Sequence, residues 1–307
     1  MRMTWSWSTF QVGEIRIWKP ISTGGIIDRV VNLGSFKSQF PFNSLKNLST
    51  MNRIDYLFQT KKERILSIYV TAGFPNLEDT LPVMEAIQAA GADIIEIGLP
   101  YSDPIADGPT IQESNTIALE NGMSIKNLFS QLLGFRAKIH LPVVLMGYLN
   151  PIIQYGVEDF CKKCKELGID GLILPDLPMS HYLEEYKELF ERYGLFNIFL
   201  ISPQTSEKRI REVDEHSNGF IYMVSSHAIT GAKAEISPEQ EQYFERVAAM
   251  NLSNPRLIGF GISDAATFQL ASRYSQGAII GSAFIKSIKN SNDLNADINA
   301  FIQGVIG

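Results

Sequence analysis

From residue 51 onward, short apolar runs alternate with amphipathic stretches at a beat of roughly 25 to 35 residues, the spacing of βα units. The runs lie at 66–71, 93–98, 142–146, 171–174, 197–201, 220–224, 256–259 and 277–280. Most are continuously apolar rather than alternating, which is how strands buried on both faces of a parallel sheet read. Helical patterns fill the gaps at 77–90, 125–138, 157–167, 181–193, 207–216, 238–250 and 264–272, and a pair at 283–288 and 294–306 follows. Eight strands in roughly 250 residues predict an α/β fold of the (βα)8 or TIM-barrel kind for 51–307, with an extra N-terminal helix and a C-terminal helix pair. A doubly wound open sheet is the alternative, but it ordinarily carries about five or six strands and a topological switch.

In a barrel the chemistry gathers at the C-terminal strand ends. The second run ends in the most unusual stretch of the chain, Ile95-Glu-Ile-Gly-Leu-Pro-Tyr-Ser-Asp-Pro-Ile-Ala-Asp-Gly-Pro109. Glu96 falls at the end of a buried strand, where an unpaired carboxylate is expensive. Gly98, Pro100, Pro104, Gly108 and Pro109 then impose a rigid loop that carries Asp103 and Asp107. Glu96 and Asp107 can therefore face one cleft from unlike environments, an arrangement that separates proton affinities and assigns acid and base roles. A plain structural reading stands beside this one: a Glu satisfied by backbone N–H groups and two turn-forming aspartates.

Other strand ends add to the pattern. The first run carries Tyr69 near the mouth, a residue equally at home in a packed core. The third ends in Met146-Gly-Tyr148-Leu-Asn150-Pro151, and the fourth in Ile173-Leu-Pro175-Asp176-Leu-Pro178, where Asp176 is a turn former or a site residue. The sixth ends at Tyr222 and continues into a polar loop, 225–238, of the kind that forms active-site lids. Gly259-Phe-Gly261-Ile-Ser263 follows the seventh run and Gly281-Ser282 the eighth, each opening a helix. Glycine turns at helix N-termini bring backbone N–H groups up to a phosphate, and Thr230-Gly231 can complete such a cradle from the lid. The alternative is that these glycines only make tight turns and the serines only cap helices.

A formal charge of -6 with no basic stripe argues against nucleic acid, and no apolar run approaches the roughly 18 residues of a membrane span. The two cysteines, Cys161 and Cys164, form a C-x-x-C within a helical pattern, without the second pair that a zinc site needs. Two thiols suit a reducing cytoplasm. Residues 1–50 hold Trp5, Trp7 and Trp18 but no sustained period, and set Arg2, Arg16, Lys19, Arg29, Lys37 and Lys46 against Glu14 and Asp28. With no compact apolar h-region, this segment reads as an extension outside the folded domain rather than a targeting peptide.

The pattern Glu96-x-Gly98-x-Pro100-Tyr101-Ser102-Asp103-Pro104-x-Ala106-Asp107-Gly108-Pro109 resembles the signature of the tryptophan synthase α subunits, and the similarity extends over 51–307. The resemblance implies cleavage of indole-3-glycerol phosphate to indole and glyceraldehyde 3-phosphate. It makes Glu96 the acid/base and Asp107 the contact to the indole N–H. It makes Tyr69, Met146, Ile173, Tyr222 and Ile279 walls around the ring, and Gly231, Gly261, Gly281 and Ser282 phosphate contacts. It further implies no metal and no cofactor in this chain, a pyridoxal-phosphate β subunit as partner in an α2β2 tetramer, and a cytoplasmic location. The chain departs from the family where Ser226-His227-Ala228 replaces a stretch that commonly holds an arginine and a glycine. That departure bears on lid closure and on signalling to the partner. Another phosphate-binding barrel enzyme would share the glycine turns but lack the Glu96 to Pro109 pattern.

Overall fold

The structure is a computed structural model that describes residues 51–224, 237–259 and 261–307. Asn52–Gly307 forms one compact unit. Its strands are β1 (Ile65–Thr71), β2 (Ile94–Gly98), β3 (Val143–Met146), β4 (Gly171–Ile173), β5 (Phe196–Ile198), β6 (Leu200–Ile201), β7 (Ile221–Val224), β8 (Arg256–Gly259) and β9 (Gly277–Ile280). All pair in parallel, in the order β5-β4-β3-β2-β1-β9-β8-β7-β6. The two outermost strands are halves of the fifth apolar run, parted at Phe199. The first half pairs with β4 and the second with β7, while Phe199 O accepts the Tyr222 N–H at 2.9 Å. One chain segment thus joins the two ends of the order, and eight strand positions make a nearly closed TIM-type barrel.

Two layers of apolar packing follow from the period of two along each strand. Ile65, Ile94, Val144, Ile173, Ile198, Leu257 and Ile279 fill the lumen, while Leu66, Ile68, Ile95, Ile97 and Leu145 face the helices. The expected N-terminal helix is α1 (Arg53–Thr60), capped by Asn52, whose side chain accepts the Ile54 N–H. Its Ile54 and Phe58 join the lumen cluster, with the Phe58 and Phe220 rings 6.0 Å apart, so this helix plugs the N-terminal end of the barrel. Asp170 ties the same end together: buried, it pairs with Arg53 at 2.9 Å and Arg136 at 2.6 Å and accepts the Val143 N–H. A buried charge so satisfied is tolerable, whereas removal of one partner is not.

Several helix expectations need correction. α2 (Thr80–Ala89) begins after a short 3₁₀ turn, and α3 (Pro109–Glu120) is a helix that the sequence pattern does not predict. Pro109 is the cause, because proline at the first helical position starts a helix as readily as it ends one. The pattern at 125–138 is only α4 (Ile125–Gln131), stopped before Gly134, which is left-handed at φ 74°. α5 (Leu149–Tyr155), also unread, again takes its proline in the first turn. α6 (Val157–Leu167) is as expected, with Cys161 and Cys164 on its buried face and the Cys161 thiol pushed up to about 12 by burial. The stretch at 181–193 starts earlier, at Met179–His181, and passes through a π turn, Tyr182–Tyr186, into Lys187–Tyr193; together these form α7. α8 (Glu207–His216), α9 (Pro238–Ala249), α10 (Ala265–Tyr274) and the C-terminal pair α11 (Ser282–Ile288) and α12 (Leu294–Ile306) follow the sequence pattern.

Candidate active site

Strand alternation places Ser67 and Tyr69 of β1 and Glu96 of β2 on the lumen side with Ile65 and Ile94. Tyr69 pairs with Glu96 across the two strands. Its ring leans over the next level of β2, where a Cβ on Gly98 would overlap the Tyr69 hydroxyl. Tyr222 lies over Gly259 of β8 in the same way. Glycine at these two strand ends is therefore what lets both tyrosines lie across the mouth.

Above them opens a cleft lined by Tyr69, Asp107, Ile111, Met146, Tyr222, Gly261, Ile262, Ile279, Gly281 and Ser282. Eight of the predicted site residues thus come together at the C-terminal ends of the strands. Glu96 sits at the base of this group at 0 % exposure. Ile173 is fully buried in the lumen beside Met146, its register partner on β3, and is not itself among the cleft-lining residues. Thr230, Gly231 and the stretch Ser226 to Ala228 lie outside the described residues.

The two carboxylates differ as the sequence suggested. Glu96 Oε1 accepts a 2.7 Å hydrogen bond from Ser67 Oγ, while Oε2, equally buried, has no partner among the described residues. Burial raises the Glu96 carboxyl to about 7, with the Ser67 bond pulling the other way. Asp107 stands on the loop before α3 and is raised to about 6, again by burial, with Tyr148 opposing. Tyr148 Oη donates to Asp107 Oδ2 at 3.1 Å and accepts the Ala106 N–H at 3.0 Å. Burial, aided by the charges of Asp107 and Glu96, holds the Tyr69 and Tyr222 phenols well above their ordinary range, so both stay neutral.

The glycine turns are not equivalent. After β8, the helix N-terminus is occupied: Asp264, not Ser263, caps α10, accepting the Thr267 N–H at 2.9 Å in a capping box. Gly261 approaches the cleft in the left-handed region at φ 79°. After β9, Gly281 precedes α11 with no side-chain cap, which leaves the first N–H groups of that helix facing the cleft beside Ser282. Asp176 belongs to neither arrangement: both its carboxylate oxygens accept the Leu149 N–H at 3.0 Å, fastening the start of α5.

Sequence reasoning missed Ile111 and Ile262 as cleft walls, because α3 went unread and Ile262 follows a glycine in what reads as a turn. It also passed over Ser67. The signal was there: a lone hydroxyl inside an apolar run, two residues before Tyr69 and so on the same face.

The fold and the cleft place the chain in the class of TIM-barrel proteins with a ligand-sized cleft at the C-terminal ends of the strands. Residues 57–303 match the family model for the tryptophan synthase alpha chain. Curated alpha chains include those of Flavobacterium psychrophilum, 58% identical over 238 residues (78% of this chain, 94% of the relative), and Christiangramia forsetii, 55% identical over 255 residues (83% and 98%). Among solved structures, the tryptophan synthase alpha subunit of Legionella pneumophila superposes with a TM-score of 0.75 at 33% identity, covering 83% of this chain and 97% of that one. The chain belongs to the tryptophan synthase alpha chain family. It is accordingly a lyase of tryptophan biosynthesis that acts as an α subunit beside a β subunit, and the family is not itself a pyridoxal-phosphate binder. Among the described residues, no helix is long and apolar enough to cross a membrane.

Proposed function

We propose that this chain cleaves indole-3-glycerol phosphate by a retro-aldol reaction, releasing indole and glyceraldehyde 3-phosphate, with Glu96 as acid and base and Asp107 as the anion beside the ring nitrogen. Glu96 in its acid form delivers a proton to indole C3, making an indoleninium. The resulting carboxylate takes the proton of the neighbouring side-chain hydroxyl. As the new carbonyl forms, the C–C bond breaks and its electron pair returns to the ring, leaving neutral indole and the aldehyde. Asp107, ionised at neutral pH, offsets the positive charge on the ring nitrogen while it exists.

The observation that carries this reading is the contrast between the carboxylates: Glu96 fully buried with one anchored oxygen, Asp107 held by a phenol on a loop. A group raised to about 7 is half protonated near neutrality, which suits alternating acid and base roles. Tyr69, Met146, Tyr222 and Ile279 supply flat and apolar walls for an indole ring. The uncapped N–H groups of α11 with Gly261, Gly281 and Ser282 suit the phosphate, with Thr230 and Gly231 closing from the lid.

The partner in this reading is a pyridoxal-phosphate β subunit that consumes the indole, in an α2β2 tetramer in the cytoplasm. The exposed Ile105 on the Asp107 loop and the half-exposed Ile153 on α5 support the mouth as its docking face. Residues 1–50 are in this reading no part of the catalytic domain, which is supported by a relative matched over 83% of this chain and 98% of its own length. The test is to supply indole-3-glycerol phosphate to the purified protein and measure indole with and without the β subunit. Indole release that Glu96→Gln abolishes supports the assignment; equal release by the variant removes Glu96 from the chemistry.

A further inference from the structure

Ser67 is the only polar lumen residue of β1 below Tyr69, and its neighbours across the strand pairs are Ile94 and Ile279. It is fully buried. A hydroxyl in that setting loses its hydration and must find a partner, or it destabilises the barrel relative to Val or Ala. Its partner is Glu96 Oε1, at 2.7 Å. Ser67 lies one level deeper than Glu96, since it faces Ile94 two residues earlier on β2. The bond therefore pulls one oxygen of the carboxylate down into the lumen.

We propose that Ser67 is a positioning residue for the proton transfer: it fixes Glu96 by Oε1 so that Oε2 alone exchanges protons with the substrate. The inference rests on the acid/base role proposed for Glu96. Two features of the site agree with it. Oε2 is buried yet has no partner among the described residues, as expected for the atom that waits for a ligand. A serine hydroxyl also serves both protonation states of Glu96, because it goes on donating to Oε1 whether or not Oε2 carries the proton. Without it, the carboxyl can rotate about its terminal torsion, which is broad and nearly two-fold, and present either oxygen upward or neither.

The experiment compares Ser67→Ala, Ser67→Val and Ser67→Thr, with Glu96→Gln alongside. The titration midpoint of Glu96 is read directly by carboxyl ¹³C NMR, assigned by the signal that Glu96→Gln removes. The pH profile of kcat for indole release is read in the αβ complex. A hydrogen bond to a charged group is worth about one to two units of proton affinity. Loss of the donor in the Ala and Val variants should therefore raise the midpoint by about one unit and lower kcat at neutral pH roughly tenfold, with KM within about twofold. Threonine, which keeps the hydroxyl and has the shape of valine, should bring the midpoint back toward that of the parent. A midpoint and kcat profile unmoved in Ser67→Ala, or equal shifts in the Thr and Val variants, would overturn the proposal. The NMR midpoint responds to Ser67 even if Glu96→Gln proves fully active, so a failure of the Glu96 assignment is told apart from a failure of the Ser67 one.

Discussion

Tyr148 and Asp107 are joined by a 3.1 Å hydrogen bond across two strand ends, and the same phenolic oxygen accepts the Ala106 N–H, so one side chain of the β3 loop fixes both the backbone and the carboxylate of the β2 loop. The Tyr101 ring, packed on Tyr148 at 5.1 Å, completes the clamp. Tyr148→Phe keeps that ring contact and removes only the hydroxyl. We expect kcat/KM for indole release to fall about ten- to a hundred-fold, the range for a lost hydrogen bond to a charged group, with little change in thermal stability. Steady-state kinetics and a thermal melt on the same preparation decide it. Unchanged kinetics would mean that Asp107 is held by its loop prolines and Gly108 alone.

Glu96 gives stability a pH dependence of unusual sign for a carboxylate. Its folded-state value is raised from 4.5 to about 7, so between those limits the native protein keeps a proton that the unfolded chain has already released. Stability therefore falls as pH rises through this window and levels off above it. Asp107, raised from 3.8 to about 6, acts in the same direction at lower pH. The Glu96 contribution is on the order of 3 kcal/mol at full ionisation. Glu96→Gln removes the charge and keeps the shape, so its melting temperature should exceed that of the parent by several degrees at pH 8 and by much less at pH 5. A variant less stable than the parent at pH 8 would show that the carboxylate is not strained by burial.

The barrel was legible because its physical cause is local. A strand buried on both faces must be apolar throughout, and eight such runs can be counted. The second carboxylate was legible because Pro104, Gly108 and Pro109 leave Asp107 few conformations. Two helices were missed for the converse reason: Pro109 and Pro151 sit in first turns, where the sequence alone does not distinguish a proline that starts a helix from one that ends it. Asp264 was overlooked as a cap because Ser263 beside it is as good a cap by type, and only the backbone geometry chooses between them.

The two anion-facing glycines make unequal tests. Any side chain at Gly261 is strained by its positive φ, so loss of function there is ambiguous. Gly281 is different: the nearest atoms a Cβ would meet among the described residues are those of Tyr69, at an ordinary 3.5 Å. Gly281→Ala should fold normally yet crowd a phosphate at the N-terminus of α11. We expect KM for the phosphorylated substrate to rise about tenfold or more while the affinity for free indole changes less than about twofold. Isothermal titration with indole and with glycerol phosphate separates the two effects. Equal losses for both ligands would place the defect in the barrel rather than at an anion site.

Ile105 is 89% exposed, and Ile153 is 49% exposed on the same barrel face, an apolar display that no other described residue covers. Single exposed apolar residues are common, so the face needs a control. Leu133 supplies one: it is 64% exposed and follows α4 before β3, at the opposite, N-terminal end of the barrel. A carboxylate introduced at a docking face must be desolvated against the partner, whereas at a solvated face it costs almost nothing. Ile105→Asp should therefore weaken β-subunit binding by about thirty-fold or more while the melting temperature of the isolated protein stays within a degree or two. Leu133→Asp should leave both unchanged. Because Ile105 stands two residues before Asp107, the loss of the partner should also lower the indole-forming activity measured in the mixture, and saturating β subunit should restore it. Binding unaffected by Ile105→Asp but weakened by Leu133→Asp would move the interface to the other end of the barrel.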